Sequence, residues 1–201
     1  MGTLLFMLWA GGDTWSFEKD EVDQEPAGWE FTTTLKTPAA KWRVQKDGDN
    51  RVLAQLDRNA TDGRFAMAVV KDSSYKNLRL SVRGKPVSGD VDQAVGLVWR
   101  YRDADNYYLA RANALERNVR LYRVVNGNRI KFAGKEDVEL KTNEWITLKI
   151  EHQGTAIRVA LNDKELFESQ DKILTEAGKV GVWIKADSVS YFDDVTAEEL
   201  K

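Results

Sequence analysis

Apolar and polar residues alternate along residues 92–133 in a pattern that predicts four antiparallel strands joined by tight turns. The pair Asn126-Gly127 favours a type I′ turn, because both central residues of that turn need positive φ. This turn sets the register of the strands on either side of it. The expected cross-strand pairs are Val124 with Arg129, Arg123 with Ile130, Tyr122 with Lys131, and Leu121 with Phe132.

Two four-residue loops, at 114–117 and 103–106, continue the same antiparallel order. Across the first loop, the expected pairs are Ala112 with Val119 and Arg111 with Arg120. Across the second, they are Tyr101 with Tyr108 and Arg100 with Leu109. The three turns are independent of one another, so a consistent sorting of side chains between the two faces supports the register.

The sorting is consistent, because successive side chains of a strand point to opposite faces of its sheet. One face is apolar and predicts a core: Val95, Leu97, Trp99, Tyr108, Ala110, Ala112, Val119, Leu121, Ile130 and Phe132. The other face is rich in Arg, Tyr and Asn: Arg100, Arg102, Tyr107, Arg111, Asn113, Asn118, Arg120, Tyr122, Arg129 and Lys131, with Leu109 and Val124 among them. This second face has the composition of a binding surface for polar rings.

The rest of the chain contains further short strands and almost no helical pattern. Residues 65–70 are apolar at both parities, which predicts a strand buried on both faces. Trp183 alternates with Val180, Val182 and Ile184, which places it on the opposite side of its strand from these aliphatic residues. Only residues 171–177 favour a helical turn. More than a dozen strands with turn signals every eight to twelve residues predict an all-β, two-sheet antiparallel sandwich.

Charge narrows the range of partners. The net charge is −2, but residues 95–131 contain seven arginines and one lysine against three acidic residues, a local charge of +5. Such a local patch is too small for duplex nucleic acid, which needs a domain-wide basic footprint. It is better suited to an anionic or richly hydroxylated ligand.

Reactive side chains are scarce. The sequence has no cysteine and one histidine, which excludes disulfides, thiolate metal sites and His-rich metal sites. His152 shares the parity of Ile146, Leu148 and Ile150, so we expect a partly buried histidine at a sheet edge. A Ser-His-Asp triad is therefore disfavoured.

The N-terminus is assigned separately from the domain. Residues 1–12 contain a short apolar run ending in small residues, which is too short to span a bilayer. We interpret residues 1–12 as a leader remnant or a disordered tail, with a first strand as the alternative. Residues 13–201 form a single predicted domain, which we expect to be monomeric and located outside the cytoplasm, in the periplasm or the extracellular space.

Several stretches resemble the concanavalin A-like lectin/glucanase superfamily. They are W-R-V-x-x-D at 42–47, V-L-A-Q at 52–55, G-L-V-W-R-Y-x-D-x-x-N-Y-Y at 96–108, G-V-W-I-K-A-D-S at 181–188 and F-D-D-V at 192–195. More narrowly, they look like a bacterial family that borders the laminin-G-like and 3-keto-disaccharide hydrolase domains. The resemblance implies a jelly-roll sandwich whose concave sheet is the ligand face.

The resemblance also implies where a ligand binds. Aromatic rings stack on pyranose rings, while Arg and Asn bind hydroxyl or carboxylate groups. The predicted saccharide-binding residues are Arg100, Tyr107, Arg111, Asn113, Asn118, Arg120, Tyr122 and Trp183. An Arg–Tyr ladder that only solvates the sheet is the alternative. We expect a carbohydrate-binding domain, with an acidic saccharide as the favoured ligand and no nucleic-acid or membrane partner.

Catalysis and metal binding receive weaker support. Glycosidases of this superfamily use a Glu-x-Asp-x-(x)-Glu strand, and residues 21–25 imitate it only in a polar loop, so we assign no catalytic residue. A glycosidase-like hydrolase acting on a keto-sugar or polysaccharide and a protein-interaction domain stay as alternatives. Jelly rolls of this kind often hold a structural calcium where the first and last strands meet. Glu18, Asp193 and Asp194 are the candidate ligands for such a site.

Overall fold

In the computed structural model, which describes residues 12–201, the chain forms fifteen β-strands. The strands are β1 (Asp13–Trp15), β2 (Trp29–Thr33), β3 (Trp42–Asp47), β4 (Asn50–Gln55), β5 (Phe65–Val70), β6 (Leu78–Ser88), β7 (Ala94–Asp103), β8 (Asn106–Asn113), β9 (Asn118–Val125), β10 (Asn128–Lys135), β11 (Ile146–Gln153), β12 (Ala156–Leu161), β13 (Lys164–Gln170), β14 (Lys179–Lys185) and β15 (Val189–Glu199). A short 3-10 segment, Thr34–Lys36, follows β2.

The strands form two antiparallel sheets that pack face to face. The first sheet has the order β13-β12-β11-β6-β15-β4-β3, and β1 also pairs with β15. The second sheet has the order β10-β9-β8-β7-β14-β5-β2. Long crossovers, such as that between β7 and β14, interleave distant parts of the chain in one sheet, as expected of a jelly roll. The predicted all-β jelly-roll sandwich is confirmed.

The core between the sheets is formed by the apolar face that alternation predicted. Leu97, Trp99, Ala110 and Leu121 are fully buried in it. Phe132 is partly buried against the same cluster. Ile130 is 43% exposed, so its core assignment was wrong. It lies on β10, the edge strand of the second sheet, where the opposite sheet gives less cover.

The predicted registers hold near each turn and are interrupted by bulges farther away. The pairs of Val124 with Arg129 and of Ala112 with Val119 are confirmed. A bulge between Lys131 and Ala133 places Ala133, not Phe132, opposite Leu121. A bulge inserts residues that a count from the turn cannot detect.

A larger irregularity lies in β7. Trp99 pairs with Tyr108 and Asp103 pairs with Asn106, so the bulged part of β7 has two more residues than the facing part of β8. The predicted pair of Tyr101 with Tyr108 was therefore wrong by two residues. A shift of two keeps each side chain on its face, which is why the predicted sorting survived elsewhere.

The remaining expectations concern single segments. Residues 171–177 contain no helical turn. His152 is fully buried instead of lying at a sheet edge, because β11 is flanked by β6 and β12. Within residues 12–201, no helix is long and apolar enough to cross a membrane. The leader or tail assigned to residues 1–12 lies, apart from Gly12, outside the described residues.

Candidate functional site

The outer face of the second sheet is strongly curved. Arg129 on β10 and Phe65 on β5 are separated by five strand-to-strand steps, which in a flat sheet would amount to about 24 Å. The guanidinium carbon of Arg129 nevertheless lies 4.4 Å from the centre of the Phe65 ring. The sheet therefore curls toward its outer side. We call this outer side the concave face.

An aromatic cluster fills the middle of the concave face. The ring of Trp183 lies 5.4 Å from that of Phe65, centre to centre. Gly96 makes room for it, since a Cβ there would lie 3.0 Å from the Trp183 side chain. The Trp183 indole N–H donates to the Tyr107 hydroxyl over 3.3 Å. Trp183 and Tyr107, both predicted as ligand-binding residues, are thus in direct contact.

The 3-10 segment closes one end of the concave face. The Thr34 hydroxyl donates to the Ala104 carbonyl over 2.8 Å, so the Tyr107 hydroxyl, 2.8 Å away, donates to Thr34. The side chain of Leu35 packs against Gly127, where a Cβ would lie 2.3 Å from a Leu35 methyl. A glycine at that turn therefore satisfies both its positive φ and this contact.

Charged and amide side chains occupy the opposite end. Arg111 is buried, and its guanidinium donates to Glu116 over 2.8 Å and to the Asn118 side-chain oxygen over 2.6 Å. Asn113 donates to Asp92 over 2.6 Å, and Asp92 forms an ion pair of 3.0 Å with Lys185. The Glu116 backbone N–H donates to the Asn113 side-chain oxygen over 3.0 Å and connects the two groups, so the predicted ligand-binding residues Arg111, Asn113 and Asn118 belong to one buried network.

The two carboxyl groups of this network have opposite electrostatic environments. Hydrogen bonding from Arg111 lowers the pKa of Glu116 to about 2. Burial raises the pKa of Asp92, and the charges of Arg111 and Lys185 oppose that effect. The loop that carries Asp92 is held by Asp187, whose carboxylate accepts the backbone N–H groups of Asp90 and Asp92 over 2.6 and 3.0 Å.

Tyr122 and Arg120 lie toward the rim. The Tyr122 ring is 5.8 Å from the guanidinium carbon of Arg111 and 4.7 Å from that of Arg129. Arg120 is partly exposed and forms ion pairs with Glu136 and Glu116 over 3.1 and 3.0 Å. Both residues therefore lie on the predicted face, at the border of the buried network.

Arg100 does not lie on the concave face. It has φ of +44°, within the β7 bulge, and this conformation turns its side chain toward one end of the sandwich. There its guanidinium donates to the carbonyls of Lys76, Leu174 and Gly154 over 2.8, 2.8 and 3.3 Å. Tyr101 takes the place on the concave face and packs 6.2 Å from Tyr107. The predicted position of Arg100 was wrong because the bulge inverts the local alternation.

Arg129 is the functional candidate that the sequence reasoning left out. Its guanidinium covers the rings of Phe65, Tyr122 and Trp183, at 4.4, 4.7 and 5.8 Å from their centres. The alternation of β10 placed it on the correct face. Nothing local showed that the sheet would bring it to rings several strands away.

The predicted calcium ligands do not come together as a metal site. Glu18 accepts the backbone N–H of Arg51, and Asp193 accepts from Asn50 over 2.8 Å. Asp194 pairs with Arg83 over 3.1 Å. Nowhere in residues 12–201 do three or more His, Cys, Asp or Glu side chains form a group that could hold a metal ion. The acidic residues at the strand ends bind donors of the protein instead.

Comparison with known proteins identifies the fold. No protein-family model and no curated protein sequence matches this chain. Carbohydrate-binding module CBM66 from Bacillus subtilis is similar in structure, with a TM-score of 0.66 and 22% identity over 85% of this chain and 95% of that chain. Bacillus licheniformis β-glucanase has a TM-score of 0.64 and 11% identity over 96% of this chain and 99% of that chain. The calcium- and mannose-bound exoplasmic domain of VIP36 has a TM-score of 0.59 and 10% identity over 86% and 83%.

At these identities the similarity concerns the fold. The chain has the concanavalin A-like jelly-roll sandwich that the sequence motifs indicated. The narrower bacterial family suggested by the same motifs stays a prediction.

Proposed function

We propose that this protein is a carbohydrate-binding domain that holds a saccharide on the concave face. The observation that carries the proposal is the curvature, which gathers Trp183, Tyr107, Tyr122 and Phe65 in one buried cluster on the concave face, with arginine and amide side chains beside them. Rings of this kind supply stacking surfaces, and the polar groups supply directional hydrogen bonds. A flat or convex sheet would have favoured protein docking instead.

Two structural neighbours support this proposal. One is a carbohydrate-binding module and another is a mannose-bound lumenal domain. We place the protein outside the cytoplasm, acting as a monomer on a saccharide or polysaccharide, with neither nucleic acid nor membrane as a partner. A ligand that stacks on the rings has to displace Arg129, whose guanidinium covers them.

Two tyrosines on opposite sheets test the location of the site. Tyr122 belongs to the concave face, while Tyr191 is half-buried on the outer face of the first sheet. A glycan array should first identify a ligand, and calorimetric titration should then compare Tyr122→Ala with Tyr191→Ala. We expect Tyr122→Ala to weaken binding about tenfold or more, because a stacking surface is lost, and Tyr191→Ala to bind like the wild type.

Thermal melts of both variants serve as the folding control for this comparison. Loss of binding only in a folded Tyr191→Ala would place the site on the other sheet. Absence of any glycan ligand for the wild type would contradict saccharide binding.

One observation favours the hydrolase alternative. Asp92 and Glu116 flank Arg111 and have pKa values displaced in opposite directions, a feature of acid–base pairs. One oxygen of Asp92 accepts from Asn113 and the other forms an ion pair with Lys185, while the oxygens of Glu116 accept from Arg111. This occupation favours binding without hydrolysis. Cleavage of the bound oligosaccharide by the wild type, lost in Glu116→Gln, would establish the hydrolase instead.

A further inference from the structure

Two arginine N–H groups in the concave face are buried without a hydrogen-bond acceptor. They are Nε of Arg111 and Nη1 of Arg129. Arg111 is 1% exposed, and its other nitrogens are bound to Glu116 and Asn118. A buried charged donor without an acceptor is costly, because it has lost its water without gaining a partner. Two such donors on the same face of the sheet indicate a missing acceptor.

The charged side chains of the concave face also indicate a missing anion. Arg111 pairs with Glu116, Lys185 with Asp92, and Arg120 with Glu136 and Glu116. Within residues 12–201, no carboxylate lies within ion-pair distance of Arg129, whose guanidinium lies over three aromatic rings. Burial and the charge of Arg111 lower its pKa. Arg111, Lys185, Arg120 and Arg129 therefore carry one positive charge more than Glu116, Asp92 and Glu136 neutralise.

The two unsatisfied arginines border the same ring. Their guanidinium carbons lie 5.8 and 4.7 Å from the centre of Tyr122, which limits the separation of these carbons to 10.5 Å. One carboxylate or sulfate has several acceptor oxygens and can accept from two guanidinium groups at once. It would be held beside a ring on which the attached sugar can stack.

We propose that the saccharide is an anionic one, and that Arg111 and Arg129 jointly bind its acidic group beside Tyr122. This inference rests on the proposed function and names the ligand class of the same concave face. Arg111 is fixed by Glu116 and Asn118, so it supplies a rigid donor. Arg129 is only partly buried and lies on an edge strand, so its side chain is free to turn from the rings to the anion. That turn also uncovers the rings for the sugar.

The test compares Arg129→Gln with Lys131→Gln. Lys131 is exposed on the same strand as Arg129. Lys131→Gln removes one positive charge, as Arg129→Gln does, but leaves the aromatic cluster unchanged. Each variant and the wild type should be titrated calorimetrically with uronic-acid oligosaccharides and their carboxyl-reduced, neutral counterparts. A sulfated chain of the same backbone distinguishes carboxylate from sulfate.

We expect the wild type to prefer an anionic chain over its neutral counterpart by about tenfold or more. Arg129→Gln should lower the affinity for the anionic chain and abolish that preference, and Lys131→Gln should preserve the preference. Equal wild-type affinity for anionic and neutral chains, or a preference that survives in Arg129→Gln, would overturn the inference and leave saccharide binding intact. No binding of any chain by the wild type would contradict the proposed function itself.

Discussion

Replacing Arg100 with methionine should lower the free energy of unfolding by about 3 kcal/mol or more and leave saccharide affinity unchanged. Arg100 is 2% exposed, and its guanidinium bonds carbonyls from three separate loops. These loops join β5 to β6, β11 to β12, and β13 to β14. Methionine preserves most of the apolar stem but leaves the carbonyls without their donor.

Arg102→Met is the matched control for this experiment, because Arg102 is exposed two residues farther along the chain. Urea denaturation should separate the two variants clearly, with the control within about 0.5 kcal/mol of the wild type. A lysine at position 100 should restore only part of the stability, since it lacks the planar fork of donors. A stable Arg100→Met with impaired saccharide binding would return Arg100 to the ligand face and refute its structural role.

Stability should also fall as the pH is lowered below 6.5, through His152. Its Nδ1 accepts the Trp99 indole N–H over 2.8 Å, and the ring packs 5.3 Å from Tyr108. Burial, followed by the nearby charge of Arg100, lowers the pKa of His152 to about 3. Between that value and the unfolded value of about 6.5, the unfolded chain binds a proton that the native chain does not.

The sign follows from this difference in proton binding. The native pKa is the lower one, so stability is complete above pH 6.5 and decreases by up to about 1.4 kcal/mol per pH unit below it. Urea denaturation at about pH 7.5 and pH 5 should differ by about 2 kcal/mol. His152 is the only histidine in the chain, and His152→Gln should remove most of the slope above pH 5. An undiminished slope in that variant would show that other groups cause it.

Local features of the fold could be read from the sequence. The Asn126-Gly127 turn was predictable because its residues tolerate the positive φ that the turn requires. Strand alternation then separated the core from the opposite face. The register error in β7 spoiled this separation only within the bulge, at Arg100 and Tyr101, because it amounted to two residues and a strand repeats every two.

The β7 bulge and the curvature could not be read in the same way. Arg100 adopts positive φ without being glycine or asparagine, so no residue type marked the bulge. Alternation shows which side chains share a face but not how that face is curved, so it predicted a binding surface without showing that most of its side chains are buried. Two features of the sequence indicated that this face is buried. Leu109 and Val124 on it are apolar, and β5 has apolar side chains on both of its faces.

The candidate site was therefore only partly predictable. Tyr107, Tyr122 and Trp183 were selected by residue type and face, and the structure gathers them in one cluster. Arg129 was missed because its contacts join β10 to strands far away in the sheet. The candidate calcium ligands were chosen because the first and last strands were expected to meet. That expectation does not determine the direction of each carboxylate.

The most direct test of saccharide binding on the concave face is a ligand titration followed by the indole N–H signals in proton–nitrogen correlation spectra. Trp183 reports the concave face, where its N–H donates to Tyr107. Trp145 reports the outer face of the first sheet, where its N–H donates to Asp47 over 3.1 Å. A saccharide should shift the Trp183 signal saturably and leave that of Trp145 in place. A saturable shift of Trp145 with an unmoved Trp183 would contradict the account.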